Sequence, residues 1–234
     1  MSARLIAVGI GPGDPELITL KGARLLREAD VVVAPKASAG DDSVAGSIVA
    51  GLVDLSRQQL IEQVYPMRKG QEELDPFWRA AALEVAELVR RGQTVAFVTL
   101  GDPMLYSTFL YLQRQLRAIA PEVPIEIVSG LSSIHAAAAL ADLPLGIADE
   151  RLAVLPATFE DGRLRQTLLE FDTVVLMKVS RVFDKVRALL KELGGRRAVY
   201  VKRVGLPGEA VFHDLDAVGP EDLDYLSLVI VRKV

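Results

Sequence analysis

Continuous apolar runs, each closed by a turn and followed by a helical stretch, recur along this chain and leave few folds open to it. Residues 4–10 (RLIAVGI) run into Gly11-Pro12-Gly13, a stretch with Leu17, Leu20, Ala23, Leu25 and Leu26 on a helical face follows, and Asp30 opens DVVVAP. That is strand, turn, helix, strand. The pattern repeats with a helix around 43–54, a weak strand at 60–65 (LIEQVY), a long helix at about 76–91, the strand TVAFVTL at 94–100 and a helix from Pro103 to about Ile119. Strands of unbroken Val, Ile and Leu, rather than alternating residues, imply burial on both faces. The first half therefore reads as a mostly parallel sheet wrapped by helices.

Pro121 and Pro124 interrupt helix propagation and hold their predecessors extended, so a boundary is expected there, with an N-terminal α/β domain at 1–120 and a C-terminal one at 121–234. The second half continues with IEIVS at 125–129, an Ala-rich helix at about 132–143, LAVLP at 152–156, a helix around 162–171, TVVLMKV at 173–179, a helix at 181–193 and RAVYVKRV at 197–204. Its last two strands, VFHDL and YLSLVIVRKV, are separated by a turn without room for a crossover helix. They are expected to pair as an antiparallel hairpin or meander, which makes the second sheet mixed.

With 234 residues, half of them apolar, the chain can bury one large core or two cores of about 100 residues each. It has no cysteine and only two histidines, His135 and His213, which argues against thiolate chemistry, iron–sulfur clusters and Cys- or His-rich metal sites. No metal is expected. The net charge of −4 argues against a nucleic-acid partner held by phosphate neutralisation. No apolar stretch reaches the ~18–20 residues that span a bilayer, and Met1-Ser2-Ala3-Arg4 leads directly into the first strand, so a soluble cytoplasmic protein is expected.

Three sets of strand-end residues are candidates for a ligand site. Gly9-Ile10-Gly11-Pro12-Gly13-Asp14-Pro15 follows a strand and precedes a helix, where an α/β sheet puts a phosphate loop. The dinucleotide fingerprint GxGxxG fails there, because Asp14 stands at its third glycine, and the second strand ends in Ala34-Pro35-Lys36 instead of a ribose-binding acid. Capping by Asp14 or Thr19 would explain the loop equally well. Thr99-Leu100-Gly101-Asp102-Pro103-Met104-Leu105-Tyr106-Ser107 closes another buried strand, and Gly101 removes the Cβ that would block a close backbone contact. Asp102 as N-cap with Pro103 at the first helical position is the competing structural reading. The third set comprises Ser129-Gly130-Leu131-Ser132-Ser133, Leu155-Pro156-Ala157 and Met177-Lys178-Val179-Ser180-Arg181, small and hydroxyl residues suited to lining a crevice for a flat heterocycle and a ribose.

VGIGPGDPELITLKG at 8–22, ADVVVAP at 29–35 and LGDPMLYST at 100–108, followed by SGLSS and a Met-containing strand, resemble the tetrapyrrole (precorrin) methyltransferases. VYPMRK at 64–69, DERLAVLPAT at 149–158 and FDTVVLMKVSR at 171–181 are most similar to the precorrin-2 and cobalt-factor II C20-methyltransferases of that family. The resemblance spans essentially the whole chain. It implies a two-domain α/β enzyme that uses S-adenosylmethionine, yields S-adenosylhomocysteine, acts on a small-molecule tetrapyrrole and commonly forms a homodimer. Carried over by position, the cofactor residues are Pro12, Gly101, Asp102, Leu105, Tyr106, Ser132, Ser133, Met177 and Gly205. The signatures of the related uroporphyrinogen methyltransferases after the second and third strands are replaced by Ala34-Pro35-Lys36 and Tyr65-Pro66-Met67-Arg68-Lys69, so catalytic assignments do not carry over from them.

Methyl transfer from a sulfonium depends on positioning, with the methyl carbon about 3–3.5 Å from the nucleophilic carbon and in line with it. A tuned base helps without being required, and Tyr65 and Tyr106 are the candidates. The acetate and propionate groups of the implied acceptor call for cations. Lys36, Arg68, Lys69, Lys178 and Arg181 all stand at or just beyond strand ends. Other readings stay open: the same fold and donor acting on another precorrin carbon or, as in more distant relatives, on ribosomal RNA or a modified histidine of a translation factor; a non-catalytic tetrapyrrole carrier; or an NAD-dependent oxidoreductase.

Overall fold

The computed structural model describes residues 2–65, 71–157 and 161–233. They divide into two compact units, Met1–Ser132 and Ser133–Val234.

The first unit carries five parallel strands, β1 (Leu5–Gly9), β2 (Val31–Lys36), β3 (Gln59–Val64), β4 (Val95–Thr99) and β5 (Ile125–Val128), in the order β3-β2-β4-β1-β5. Their connections contain α1 (Leu20–Glu28), α2 (Val44–Val49), α3 (Gln71–Arg90) and α4 (Phe109–Ile119). Because β1 and β4 are buried at every position, their alternate side chains feed two cores. Leu5, Ala7, Val31, Val33, Val95 and Phe97 pack with Ala82, Val85 and Ala86 of α3 and with Phe109, Leu112 and Leu116 of α4. On the other face α1 and α2 press so close that a Cβ on Gly22 would lie 3.2 Å from Val8 Cγ1, and one on Gly46 would lie 3.6 Å from Ala34 Cβ. Each such side chain contributes about 1.5–3 kcal/mol when fully buried. The crossover from β1 passes β4 to reach β2, and the crossover from β4 passes β1 to reach β5. The order in which strands are added thus reverses between the parallel neighbours β1 and β4, and the crevice at their carboxyl ends is where open α/β sheets bind ligands.

The second unit holds α5 (Ser133–Leu140), β6 (Leu152–Pro156), α6 (Asp161–Glu170), β7 (Thr173–Met177), α7 (Phe183–Leu193), β8 (Arg196–Lys202), β9 (Ala210–Phe212) and β10 (Ser227–Lys233). The sheet order is β6-β7-β10-β8-β9, with only the β6–β7 pair parallel. The expected mixed sheet is present.

Three expectations are corrected. The boundary lies after β5 rather than at 120–124, because the Pro124 carbonyl accepts the Leu5 N–H at 2.9 Å and begins the β1–β5 ladder. The prolines end α4 without ending the unit. The final strands do not pair with each other: β9 and β10 flank β8 on opposite sides. The connection between them is pinned by Tyr200, whose hydroxyl donates to the Asp222 carbonyl at 2.9 Å and accepts the Asp224 N–H at 3.2 Å. Finally, α4 begins at Phe109, not Pro103, so residues 100–108 are an irregular loop.

Candidate cofactor site

Glycines let three strand ends of the first unit touch. Ile10 donates to the Thr99 carbonyl at 3.0 Å and Gly101 donates to the Gly11 carbonyl at 2.8 Å, so the loops after β1 and β4 are zipped together. A Cβ on Gly9 would fall 2.5 Å from the Gly130 nitrogen, and one on Gly130 would fall 2.3 Å from the Gly101 oxygen. No side chain fits at either position. Gly101 differs: it has φ +69°, and a Cβ there would meet only the Ser132 Cα, at 3.9 Å. Its backbone is therefore bare on the side where a ligand can approach.

The remaining residues of the two loops are spoken for locally. Pro12 is buried, and Asp14, which spoils the phosphate fingerprint, accepts the Glu16 N–H at 2.8 Å to cap the 3-10 turn Pro15–Leu17. Thr19 caps α1 through the Gly22 N–H at 3.0 Å. Asp102 does not cap a helix. Its Oδ1 accepts from Met104 N at 2.8 Å and its Oδ2 from Gly130 N at 3.1 Å, so both oxygens fasten the loop. Met104, Leu105 and Tyr106 stay exposed along it, Tyr106 with φ +51°.

In the second unit, β7 and β8 both run antiparallel to β10, and Leu228 faces Met177 on one side and Val201 on the other. The loops after β7 and β8 thus leave one edge of the sheet. Met177, Val204 and Ile134 share an apolar cluster, which brings Met177 and the neighbours of Ser133 and Gly205 to that edge. The loop after β8 is braced: Gly205, at φ +72°, donates to Glu209 Oε2 at 2.6 Å, and Arg203 donates to the Pro207 carbonyl at 2.6 Å and to Asp224 at 3.1 Å. Lys178 and Arg203 both hold a left-handed backbone at this edge, with φ +58° and +53°.

Residues 4–229 match the family of tetrapyrrole (corrin/porphyrin) methylases. The chain belongs to this family. Among its relatives, the cobalt-precorrin-2 C(20)-methyltransferase of Salmonella typhimurium is 36% identical, covering 100% of this chain and 98% of that protein. The precorrin-2 C(20)-methyltransferase of Sinorhizobium sp is 35% identical over 97% of this chain and 94% of its own length. A crystal structure of uroporphyrin-III C-methyltransferase from Thermus thermophilus with S-adenosylhomocysteine has a TM-score of 0.66 at 27% identity, covering 98% of this chain and 97% of that one.

In this tetrapyrrole methylase, Pro12, Gly101, Asp102, Leu105, Tyr106 and Ser132 gather at the carboxyl edge of the first sheet, and Ser133, Met177 and Gly205 at one edge of the second. Tyr65 does not belong with them. Its ring is 1% exposed and stacks on Trp78 at 4.3 Å, its hydroxyl donates to Gln63, and Gln63 donates to Glu84 at 2.7 Å. Burial, and then the charge of Glu84, push its phenol far above the usual tyrosine range, which disqualifies it as a base. Tyr106 is 44% exposed and keeps its candidacy. Lys36 is engaged, since its ammonium lies 2.9 Å from Glu62 with only 15% of the side chain exposed, and that hydrogen bond holds the Glu62 carboxyl below its ordinary value. Arg68 and Lys69 lie outside the described residues. Lys178 and Arg181 are exposed where β7 ends. Thr99, Ser107 and Gly130 lie within the candidate strand-end stretches, but the sequence did not show what each of them does there, and Arg203 was not singled out at all. Gly130 carried the plainest signal, a glycine at a strand end.

Proposed function

We propose that this chain transfers a methyl group from S-adenosylmethionine to C20 of precorrin-2 or of its cobalt-containing counterpart, cobalt-factor II, in corrin biosynthesis. The observation that carries the reading is full-length similarity to relatives bearing C(20)-methyltransferase names, at 35–36% identity over 97–100% of the chain. Bound S-adenosylmethionine supplies an already activated methyl group and a neutral thioether leaving group. The chain's own task is placement. The bare backbone at Gly101 suits close approach by a nucleoside, Leu105 offers apolar surface on the same loop, and Met177 joins the set on the family resemblance. Pro12, Asp102, Tyr106, Ser132, Ser133 and Gly205 complete the proposed cofactor set, with Asp102 acting by fixing the loop. Lys178 and Arg181 bind acceptor carboxylates. Lys36 can join them only by leaving Glu62. The proton that C20 loses after attack passes to water or to a nearby base; a tuned protein base, for which Tyr106 is the remaining candidate, helps without being required.

The family resemblance also suggests a cytoplasmic homodimer, which sedimentation of the purified protein tests; none of its described helices is long and apolar enough to cross a membrane. The deciding experiment incubates the enzyme with each acceptor and methyl-labelled donor and locates the new carbon by NMR. Label at C20 is the expected result. Label at another carbon, or tetrapyrrole binding with no affinity for S-adenosylhomocysteine, would overturn the assignment.

A further inference from the structure

We infer that the buried hydroxyl pair Thr99–Ser107 is a positioning latch for the loop that carries Gly101, Asp102, Leu105 and Tyr106. Thr99 is the last residue of β4 and Ser107 stands just before α4, and their hydroxyls meet at 2.9 Å with residues 100–106 looped out between them. They are 4% and 6% exposed. The Ser107 oxygen also accepts the Phe109 N–H at 3.1 Å, which fixes the start of α4, while the Thr99 carbonyl accepts Ile10 N. Both feet of the loop are thereby fastened to framework.

The loop needs that closure because it is not relaxed. Tyr106, adjacent to the latch, holds φ +51°, and Gly101, two residues beyond it at the other end, holds φ +69°. A bulky residue in the left-handed region persists only where its surroundings over-determine it. Beside the latch, the loop is tied by the Gly101–Gly11 hydrogen bond, by the two that Asp102 accepts through its carboxylate, and by the Leu105 N–H, which donates to the Asp102 carbonyl at 3.3 Å. The hydroxyl pair adds a buried side-chain tie that joins the two feet of the loop, next to the exposed Leu105 and Tyr106. Among the described residues no buried side-chain polar atom lacks a partner, so removing one hydroxyl changes the local balance directly.

This inference rests on the proposed donor site, and the test separates the two. Thr99→Val keeps the shape and deletes one hydroxyl, leaving Ser107 its contact with Phe109; Thr99→Ser restores the hydroxyl. With S-adenosylhomocysteine as probe, calorimetry should give a Kd raised about fivefold in Thr99→Val, the worth of roughly one net hydrogen bond, and within about twofold of wild type in Thr99→Ser. Val186→Ala, a cavity variant in the core of the second unit, serves as a control for general destabilisation and should leave Kd unchanged. Amide hydrogen exchange on the ligand-free protein should be faster at residues 104–106 in Thr99→Val alone. Exchange there equal to wild type overturns the latch, whether or not the probe binds. Faster exchange with no change in Kd overturns its role in donor binding, and failure of the wild-type protein to bind the probe overturns the donor site while exchange still judges the latch.

Discussion

Asp102 Oδ2 accepts the backbone N–H of Gly130 at 3.1 Å, joining the loop after β4 to the loop after β5 across the end of β1. The same carboxylate accepts Met104 N–H through its other oxygen, so one side chain sets the spacing of two strand ends. Hydrogen bonds to a charged group contribute about 1.5–3 kcal/mol each. Asp102→Ala should therefore lower unfolding stability by about 2–4 kcal/mol and weaken S-adenosylhomocysteine binding. Asp102→Asn, which can turn only one acceptor toward these two donors, should fall between. Urea titration with calorimetry on the same samples checks the order.

The glycines at this crossing should respond in opposite ways. Gly130→Ala puts a methyl 2.3 Å from the Gly101 oxygen, and backbone cannot yield as a side-chain tip does, so the variant should lose more than about 4 kcal/mol or fail to fold. Gly101→Ala meets only ordinary contact and should cost about 1–2 kcal/mol for its left-handed backbone. Its protein should be soluble and folded by circular dichroism, yet bind S-adenosylhomocysteine at least tenfold more weakly, and Gly101→Val should abolish binding. Unchanged affinity in the alanine variant would remove Gly101 from the donor site.

Much of this arrangement could be read along the chain, and the exceptions have physical causes. Unbroken apolar runs such as LIAVG and VAFVT announced strands buried on both faces, and the glycines after them announced close backbone approach. The domain boundary was misread because proline signals the end of a helix, whereas the membership of β5 is decided by its long-range ladder to β1. Tyr65 stood as a candidate base because nothing in the residues around it shows that its hydroxyl is buried. Its fate depends on Trp78, thirteen residues on, and Tyr111, forty-six residues on, whose rings continue the stack at 4.3 and 5.1 Å. Thr99 and Ser107 bounded a candidate stretch, but nothing signalled their pairing, since common hydroxyl residues eight apart acquire meaning only when a loop closes between them.

Removing the Tyr65 hydroxyl follows from that correction. Tyr65→Phe preserves the stack on Trp78 and deletes only the hydrogen bond to Gln63. The methylation rate should stay within about twofold of wild type while stability falls by about 1 kcal/mol. A rate loss of a hundredfold or more, the scale of a lost general base, would return Tyr65 to the catalytic set.

Acid should loosen the first unit at Glu126. Lys21 reaches one carboxylate oxygen at 2.7 Å and Arg4 the other at 3.0 Å, and these contacts, Lys21 first, hold the Glu126 carboxyl below its ordinary 4.5. A folded-state value below the unfolded one means that the unfolded chain binds the proton first. The stabilisation is thus complete above pH 4.5 and is lost as pH falls through the depressed folded value. Glu126→Gln should be less stable than wild type at about pH 7 and equal to it at about pH 2, when both proteins are uncharged at this position. Urea midpoints at the two pH values decide it, and a difference that persists in acid would assign the effect to packing.

Arg181 offers the sharpest separation between donor and acceptor. It is exposed in the turn between β7 and α7 and makes no ion pair among the described residues, unlike Arg187 in the following helix, which lies 2.7 Å from Asp184. An unpaired guanidinium beside a strand end is ready to grip a carboxylate through two parallel hydrogen bonds, a geometry that lysine cannot reproduce. Arg181→Ala should raise KM for the tetrapyrrole about tenfold, while the Kd for S-adenosylhomocysteine and kcat change by less than about twofold. Uniform loss of ground-state and transition-state binding has that signature. Arg181→Lys should recover only part of the affinity, because one charge remains and the fork is lost. Equal losses for donor and acceptor would instead mean that the turn supports Met177 on the neighbouring strand end, and Arg181 would leave the substrate set.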